Sequence, residues 1–179
     1  SDDELDSALE REIDSSQLIN LVNNIFTDAV RVRASDIHIV PKTARKTEVS
    51  FRIDGQLTHW YTIEDTRAEA VVAVVKGRGI GLDRFERMAA QDGQAQKIVD
   101  DQVIRFRMST LPIISKELTG KFESVVIRIL RDADASVQLD TIGLDAYSLE
   151  RFKEAISKPH GMVILTGPTG CGKSTTLVA

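Results

Sequence analysis

Near its end the chain carries Gly167-Pro168-Thr169-Gly170-Cys171-Gly172-Lys173-Ser174, with the spacing G-x-x-x-x-G-K-[ST]. Residues of these types at this spacing build a phosphate-binding loop. Backbone N–H groups turn inward around a polyphosphate, the Lys ammonium reaches the outer phosphates and the Ser hydroxyl ligates Mg²⁺. Gly167, Gly170 and Gly172 permit close backbone approach and unusual dihedrals. Lys173 neutralises phosphate charge, Ser174 is the metal ligand, and Thr175 supports the loop through its N–H and hydroxyl. Pro168, Thr169 and Cys171 complete the cradle. The implied ligands are ATP and Mg²⁺. The plainer alternative is a Gly/Pro turn that happens to contain Lys and Ser.

Such a loop needs a strand before it and a helix after it. Met162-Val163-Ile164-Leu165-Thr166 has the pattern of a parallel strand covered on both faces. From Gly172 onward no breaker interrupts a helix start. Only residues 175–179 follow the loop. Hydrolysis also requires an acidic residue for Mg²⁺ on a second strand and a residue that orients the attacking water, both downstream in folds of this kind. The expectation is a portion of a nucleotide-driven enzyme that binds nucleotide at most and is inactive alone.

The 179 residues, 42% hydrophobic and 28% charged, suffice for one domain and part of another. A net charge of −4 gives no basic footprint, so no nucleic-acid partner is expected. Asp2, Asp3, Glu4, Asp6, Glu10, Glu12 and Asp14 crowd the start against Arg11 alone, which predicts a solvated acidic tail over residues 1–14. Cys171 is the only cysteine, so no internal disulfide exists, which together with a nucleotide site suggests a reducing cytoplasm. No apolar run is long enough to cross a bilayer, so membrane association would come through partners rather than direct insertion.

The preceding elements form an α+β domain over residues 15–131. Leu18, Leu21, Val22, Ile25 and Phe26 recur at helical spacing behind a Ser cap, in a helix ending near Arg31 or Arg33. Strands follow at 36–40, stopped by Pro41, at 48–53, and at 56–63 after a hairpin turn at Asp54-Gly55. Asp65-Thr66 is the expected cap of a second helix, which ends at Gly77-Arg78-Gly79 through left-handed glycine geometry. A second hairpin turns at Asp100-Asp101, and residues 122–130 form another strand. A linker at 132–141 leads to 142–179, with a helix at 144–156, a turn at Pro159-His160-Gly161, then the strand and loop.

The segment 161–177 closely resembles the phosphate loop of the secretion ATPase superfamily, the motors of type II secretion and type IV pilus assembly. Five more segments resemble that family in family order: Ala34-Ser35-Asp36-Ile37-His38-Ile39-Val40-Pro41, Phe51-Arg52-Ile53-Asp54-Gly55, Met88-Ala89-Ala90-Gln91-Asp92-Gly93, Arg107-Met108-Ser109-Thr110-Leu111-Pro112 and Val125-Val126-Ile127-Arg128-Ile129-Leu130. The set covers nearly everything from 34 to 177. The chain departs from the family between Pro112 and Val125, where the connection is longer, and at 94–101, which lacks an Arg usual after Gln-Asp-Gly.

The resemblance implies a PAS-like N-terminal domain followed by the first part of a RecA-like ATPase domain, truncated just after the phosphate loop. It implies homo-hexamers with nucleotide between the two domains, working at the cytoplasmic face of the inner membrane on platform proteins. It also implies that Arg107 and Arg128 reach the γ-phosphate when the domains close. A guanidinium suits that task because it is always charged and donates in a fork. The plainer alternative is that both are outward strand residues paired with carboxylates, and strand parity alone does not decide. Asp36 is expected to hydrogen-bond a turn, and Trp60 and Tyr61 to pack. His38, His59 and His160 lack the spacing of a zinc site. Two other readings stay open: another class of P-loop enzyme, such as a small-molecule kinase, and a non-catalytic module for subunit contacts or partner docking.

Overall fold

The computed structural model describes residues 2–114, 120–131, 138–168 and 171–179. The chain divides into two compact units, residues 1–131 and 132–179.

In the first unit, period-two apolar patterns give one antiparallel sheet. Its strands are β1 (Asp36–Thr43), β2 (Lys46–Ile53), β3 (Gln56–Glu64), β4 (Gln91–Val99), β5 (Gln102–Ile113) and β6 (Phe122–Leu130), in the spatial order β3-β2-β1-β6-β5-β4. The sheet is therefore two meanders joined through β1 and β6. Asp54 and Gly55 have φ of 49° and 82°, and Asp100 and Asp101 have 49° and 63°. Both hairpins turn as the sequence predicts, with two left-handed residues whose twist matches that of the strands.

Ile37, Ile39, Val49, Phe51, Phe106, Met108, Val125 and Ile127 are buried on one face of this sheet. Helices α2 (Ser16–Arg31) and α3 (Ala68–Lys76) supply the facing apolar stripe, including Val22, Phe26, Val71 and Val75. Phe26 meets Phe106 edge to face with ring centroids 5.0 Å apart. Trp60 occupies a bulge in β3 and stacks on Phe51 at 4.7 Å, a packing role as expected.

Several expectations are corrected. The acidic start is a helix, α1 (Asp2–Ile13), with Leu9 and Ile13 buried. The charge count hid this i,i+4 apolar pair. Glu12, on the same helix, accepts the backbone N–H of Arg67 at 3.0 Å and lies 3.8 Å and 3.9 Å from the guanidinium groups of Arg67 and Arg45. A carboxylate is favourable at a helix N-terminus. The start of α3 is thus served from α1, and Arg67, not Asp65 or Thr66, is its N-cap residue. Gly77, after α3, is right-handed at φ −64°. A Cβ there would meet the guanidinium end of Arg84, 2.5 Å from Nη2, a flexible group that can move aside. Ser15 takes the N-cap position of α2 without a side-chain bond. Strand β1 does not stop at Pro41, which pairs with Thr47. The β1–β6 ladder ends at Ile39, so Pro41 lies where β1 has only β2 beside it and a missing N–H is tolerated.

Lys76, at the end of α3, is fully buried. Its Nζ lies 2.6 Å from Oε1 and 2.7 Å from Oε2 of Glu123, and donates to the Glu86 carbonyl at 2.6 Å. This pair ties α3 to β6 and to the segment leading into β4.

In the second unit a 3₁₀ turn (Leu139–Thr141) precedes α4 (Ala146–Ile156), whose N-cap Asp145 accepts the Ser148 N–H at 3.0 Å. Most of the expected linker, residues 132–137, lies outside the described residues. Residues 162–166 are not a strand. Among the described residues none pairs with them, and Met162 is 83% exposed. An apolar run becomes a strand only against a hydrogen-bonded neighbour with cover for its faces. Helix α5 (Lys173–Val178) follows the loop.

Two stability measurements test this packing. Ile13→Ala should lower the denaturation free energy by about 2 kcal/mol or more, whereas a solvated tail would leave it unchanged. Lys76→Met should cost about 3–5 kcal/mol by leaving Glu123 buried without its partner, and Lys76→Met with Glu123→Met should recover most of that loss.

Candidate functional site

The described part of the phosphate loop is built around its own lysine. Lys173 Nζ donates to the carbonyls of Gly167 and Pro168, each at 2.7 Å, and lies 3.6 Å from Cys171 Sγ. Gly172, the N-cap of α5, has φ 94°, and a Cβ there would meet nothing within 4 Å, so its dihedral is what calls for glycine. Gly167, at φ 152°, also lacks room, since a Cβ would lie 2.6 Å from Cys171 Sγ. Thr176 closes the turn by donating its hydroxyl to the Gly172 carbonyl at 3.0 Å. Ser174 and Thr175 are exposed, and Thr169 and Gly170 lie outside the described residues.

An ammonium, an exposed hydroxyl and positive-φ glycines form a donor set suited to a polyphosphate. Among the described residues no three His, Cys, Asp or Glu stand together as metal ligands. The set suits Mg²⁺, which keeps few protein ligands and leans on substrate phosphates.

The second group of candidates lies on the sheet face away from the helices. Burial of Phe106 and Met108 in β5, and of Ile127 and Ile129 in β6, turns Arg107 and Arg128 outward. The register places Arg107 directly opposite Arg128, Arg128 opposite Asp36, and Asp36 opposite Arg52. Directly opposed residues share a face, so the row runs Arg52, Asp36, Arg128, Arg107 across β2, β1, β6 and β5. Like charges directly opposite each other destabilise a sheet, and Asp36 offsets this.

Asp36 is 6% exposed. Its Oδ1 accepts a hydrogen bond from Arg128 Nε at 3.2 Å, and its Oδ2 accepts the Ser35 hydroxyl at 2.7 Å. Arg52 Nε lies 3.6 Å from Oδ2, while Arg52 Nη1 donates to the Gly55 carbonyl at 3.0 Å. Arg128 remains 59% exposed, so its Nη fork is open to solvent. Both predicted arginines therefore face outward and stand together, and Arg128 is paired with a carboxylate. The turn role expected for Asp36 is replaced by a link between strands. The sequence held half of the signal, since apolar alternation gives the outward face. The register that aligns the row was not legible in it.

His38, two residues along β1, stands opposite Ser50 and Val126. Burial, and then the charge of Arg52, lower its pKa below the ordinary imidazole value, with Asp36 pulling partly back.

The sequence profile described as "Type II/IV secretion system protein" matches residues 11–179. The chain is 38% identical over 165 residues to the type IV pilus assembly ATPase PilB of Myxococcus xanthus, covering 92% of the chain and 28% of that protein. It is 35% identical over 179 residues to the type II secretion system protein E of Klebsiella pneumoniae, covering 100% of the chain and 33% of that protein. It is 34% identical over 167 residues to the type II secretion system ATPase E of Vibrio cholerae, covering 93% of the chain and 31% of that protein. The chain thus spans a third or less of the length of these relatives. Among the described residues no helix is long and apolar enough to cross a membrane.

The lowered pKa of His38 gives a pH test. The unfolded imidazole, with its value near 6.5, takes up a proton at a higher pH than the folded one. His38's contribution to stability is therefore complete above that value and is lost as pH falls through the window below it. His38→Gln should flatten the stability slope across this window in denaturation curves. An unchanged slope would remove His38 as its source.

Proposed function

The chain belongs to the type II/IV secretion system protein family, and on that premise we propose that it is the ATP-binding portion of a motor ATPase powering type II secretion or type IV pilus assembly. The intact protein would hydrolyse ATP to ADP and phosphate and convert domain closure into mechanical work. The observation that carries this reading is the row that sets Arg107 opposite Arg128 on an open sheet face, in a chain that also holds a complete phosphate-loop sequence. Two guanidinium groups presented together suit the charge that spreads over a transferring phosphoryl group.

The residue roles follow the same reading. Residues 167–175 cradle the phosphates, Lys173 exchanges its loop carbonyls for phosphate oxygens, and Arg107 and Arg128 donate to the γ-phosphate. Ser174 would hold Mg²⁺, which when bound neutralises charge on the phosphates. The first unit, an antiparallel sheet with helices on one face, is taken as a PAS-like domain over 15–131 with α1 added to it. Residues 132–141 are taken as a linker and 142–179 as the start of a RecA-like domain. Homo-hexamers at the cytoplasmic face of the inner membrane, working on platform proteins, complete the proposal.

Mutagenesis in the full-length protein tests it. Lys173→Ala should abolish Mg-ATP binding in an equilibrium titration, and retained affinity would refute the phosphate role. Arg107→Ala or Arg128→Ala should lower ATP turnover by about 10³-fold with nucleotide still bound. Parent-like turnover would remove that arginine from the mechanism.

A further inference from the structure

We propose that Asp36 is a positioning residue for this reaction: by accepting the Nε–H of Arg128 it aims that guanidinium's Nη fork. The inference rests on the reading of Arg128 as a γ-phosphate ligand and adds the device that sets its geometry.

An arginine has five N–H donors in a rigid plane. The bond to Asp36 uses Nε alone, at 3.2 Å, so both Nη groups stay available while rotation about the end of the side chain is restricted. An anchored fork loses less freedom on meeting an anion than a free one. Asp36 is itself held. Ser35 donates to its Oδ2 at 2.7 Å, and Arg52 faces the same oxygen at 3.6 Å with its far end fixed on the Gly55 carbonyl at 3.0 Å. The β2–β3 turn is thus connected through Arg52 and Asp36 to Arg128.

Charge gives a second reason for the carboxylate. The row holds three guanidinium groups (+3) and one carboxylate (−1), a net of +2. Without the carboxylate, Arg128 would stand opposite Arg107 on β5 with no acceptor on β1 for its Nε–H. Arg128 would turn away into solvent. With Asp36 in place the row stays cationic enough to attract an anion, and its central member keeps one orientation.

The test compares Asp36→Asn, Arg128→Ala, Arg128→Lys and the double variant Asp36→Asn/Arg128→Ala in the full-length protein. Asp36→Asn should lower kcat about 100-fold and leave KM for Mg-ATP within about threefold. In the Arg128→Ala background the same change should alter turnover by less than about twofold, because its effect runs through Arg128. Arg128→Lys keeps the charge but has no Nε–H for Asp36, and should be as impaired as Arg128→Ala. A readout apart from turnover is the Nε–Hε resonance of Arg128 in this chain, identified by its loss in Arg128→Ala. It should be protected from exchange in the parent and lose that protection in Asp36→Asn. Parent-like turnover in Asp36→Asn, full additivity in the double variant, parent-like turnover in Arg128→Lys, or unchanged protection would each overturn the proposal. If Asp36→Asn does not fold, Arg128→Lys still decides. If Arg128→Ala itself turns over normally, the underlying reading of Arg128 fails, an outcome distinct from failure of Asp36 alone.

Discussion

The pairing of β1 with β6 joins two meanders into one sheet, and among the described residues it is the longest-range strand pairing the first unit makes. Asp36 and Arg128 are separated by 92 positions, and only four residue pairs, from Asp36↔Arg128 to Ile39↔Val125, form the ladder. Closing so long a loop carries an entropic cost that four pairs must offset together with their side chains. They do so on both faces. Ile37 meets Ile127 and Ile39 meets Val125 in the core, while Asp36 meets Arg128 on the open face. The Ser35 backbone extends the seam, donating to the Arg52 carbonyl at 2.8 Å and accepting from Ile129 at 2.9 Å. Arg131, just past β6, donates to the carbonyls of Ala34 and Val30 at 2.9 Å and 3.1 Å, binding the strand's exit to the end of α2.

That arrangement divides the work between the two faces. Helices α2 and α3 cover one face, and polar contacts at both ends of α3 fix that helix in place: Glu12 at its start and the Lys76–Glu123 pair at its end. The buried pair is weak support for net stability, because desolvation offsets much of its attraction. It does penalise any shift of α3 along β6, since a shift would strand two charges in the core. With the core satisfied from one side, none of the described helices of the first unit covers the other face, which is free to carry charge. A row of arginines is tolerable there because solvent screens it and a single carboxylate interrupts it.

Local chemistry in the sequence made the hairpins legible. Asp-Gly and Asp-Asp each supply two residues able to take positive φ, and both turns form. The helical stripe of α2 and the dihedrals of Gly167 and Gly172 in the phosphate loop were legible for the same reason, because each requirement is met within a few neighbours. What escaped was non-local. Helix α1 was hidden because its charges outnumber Leu9 and Ile13, whose value depends on a surface that α3 provides. The run at 162–166 reads as a strand by composition, yet a strand is defined by its neighbour. The role of Asp36 depends on the register of β1 against both β2 and β6, which no window along the chain contains.

Lys173 and Arg128 are both cations engaged with internal acceptors, and the difference between those acceptors bears on how each meets an anion. Lys173 spends its ammonium on two neutral carbonyls of an exposed loop. Hydrogen bonds of a charged group to such acceptors are worth about 1.5–3 kcal/mol net, and a polyphosphate would offer acceptors that are themselves ionised. In the role proposed for Lys173, exchange would therefore be favourable, and the loop's own contacts would keep the lysine at its mouth until then. Arg128 faces a buried carboxylate, whose loss of a partner would be costly, so that bond is not one an arriving anion should break. Nothing requires it to break, because Nε is committed and the fork is not. On the proposed reading, the lysine is held by contacts that a phosphate would replace, and the arginine by one that would persist.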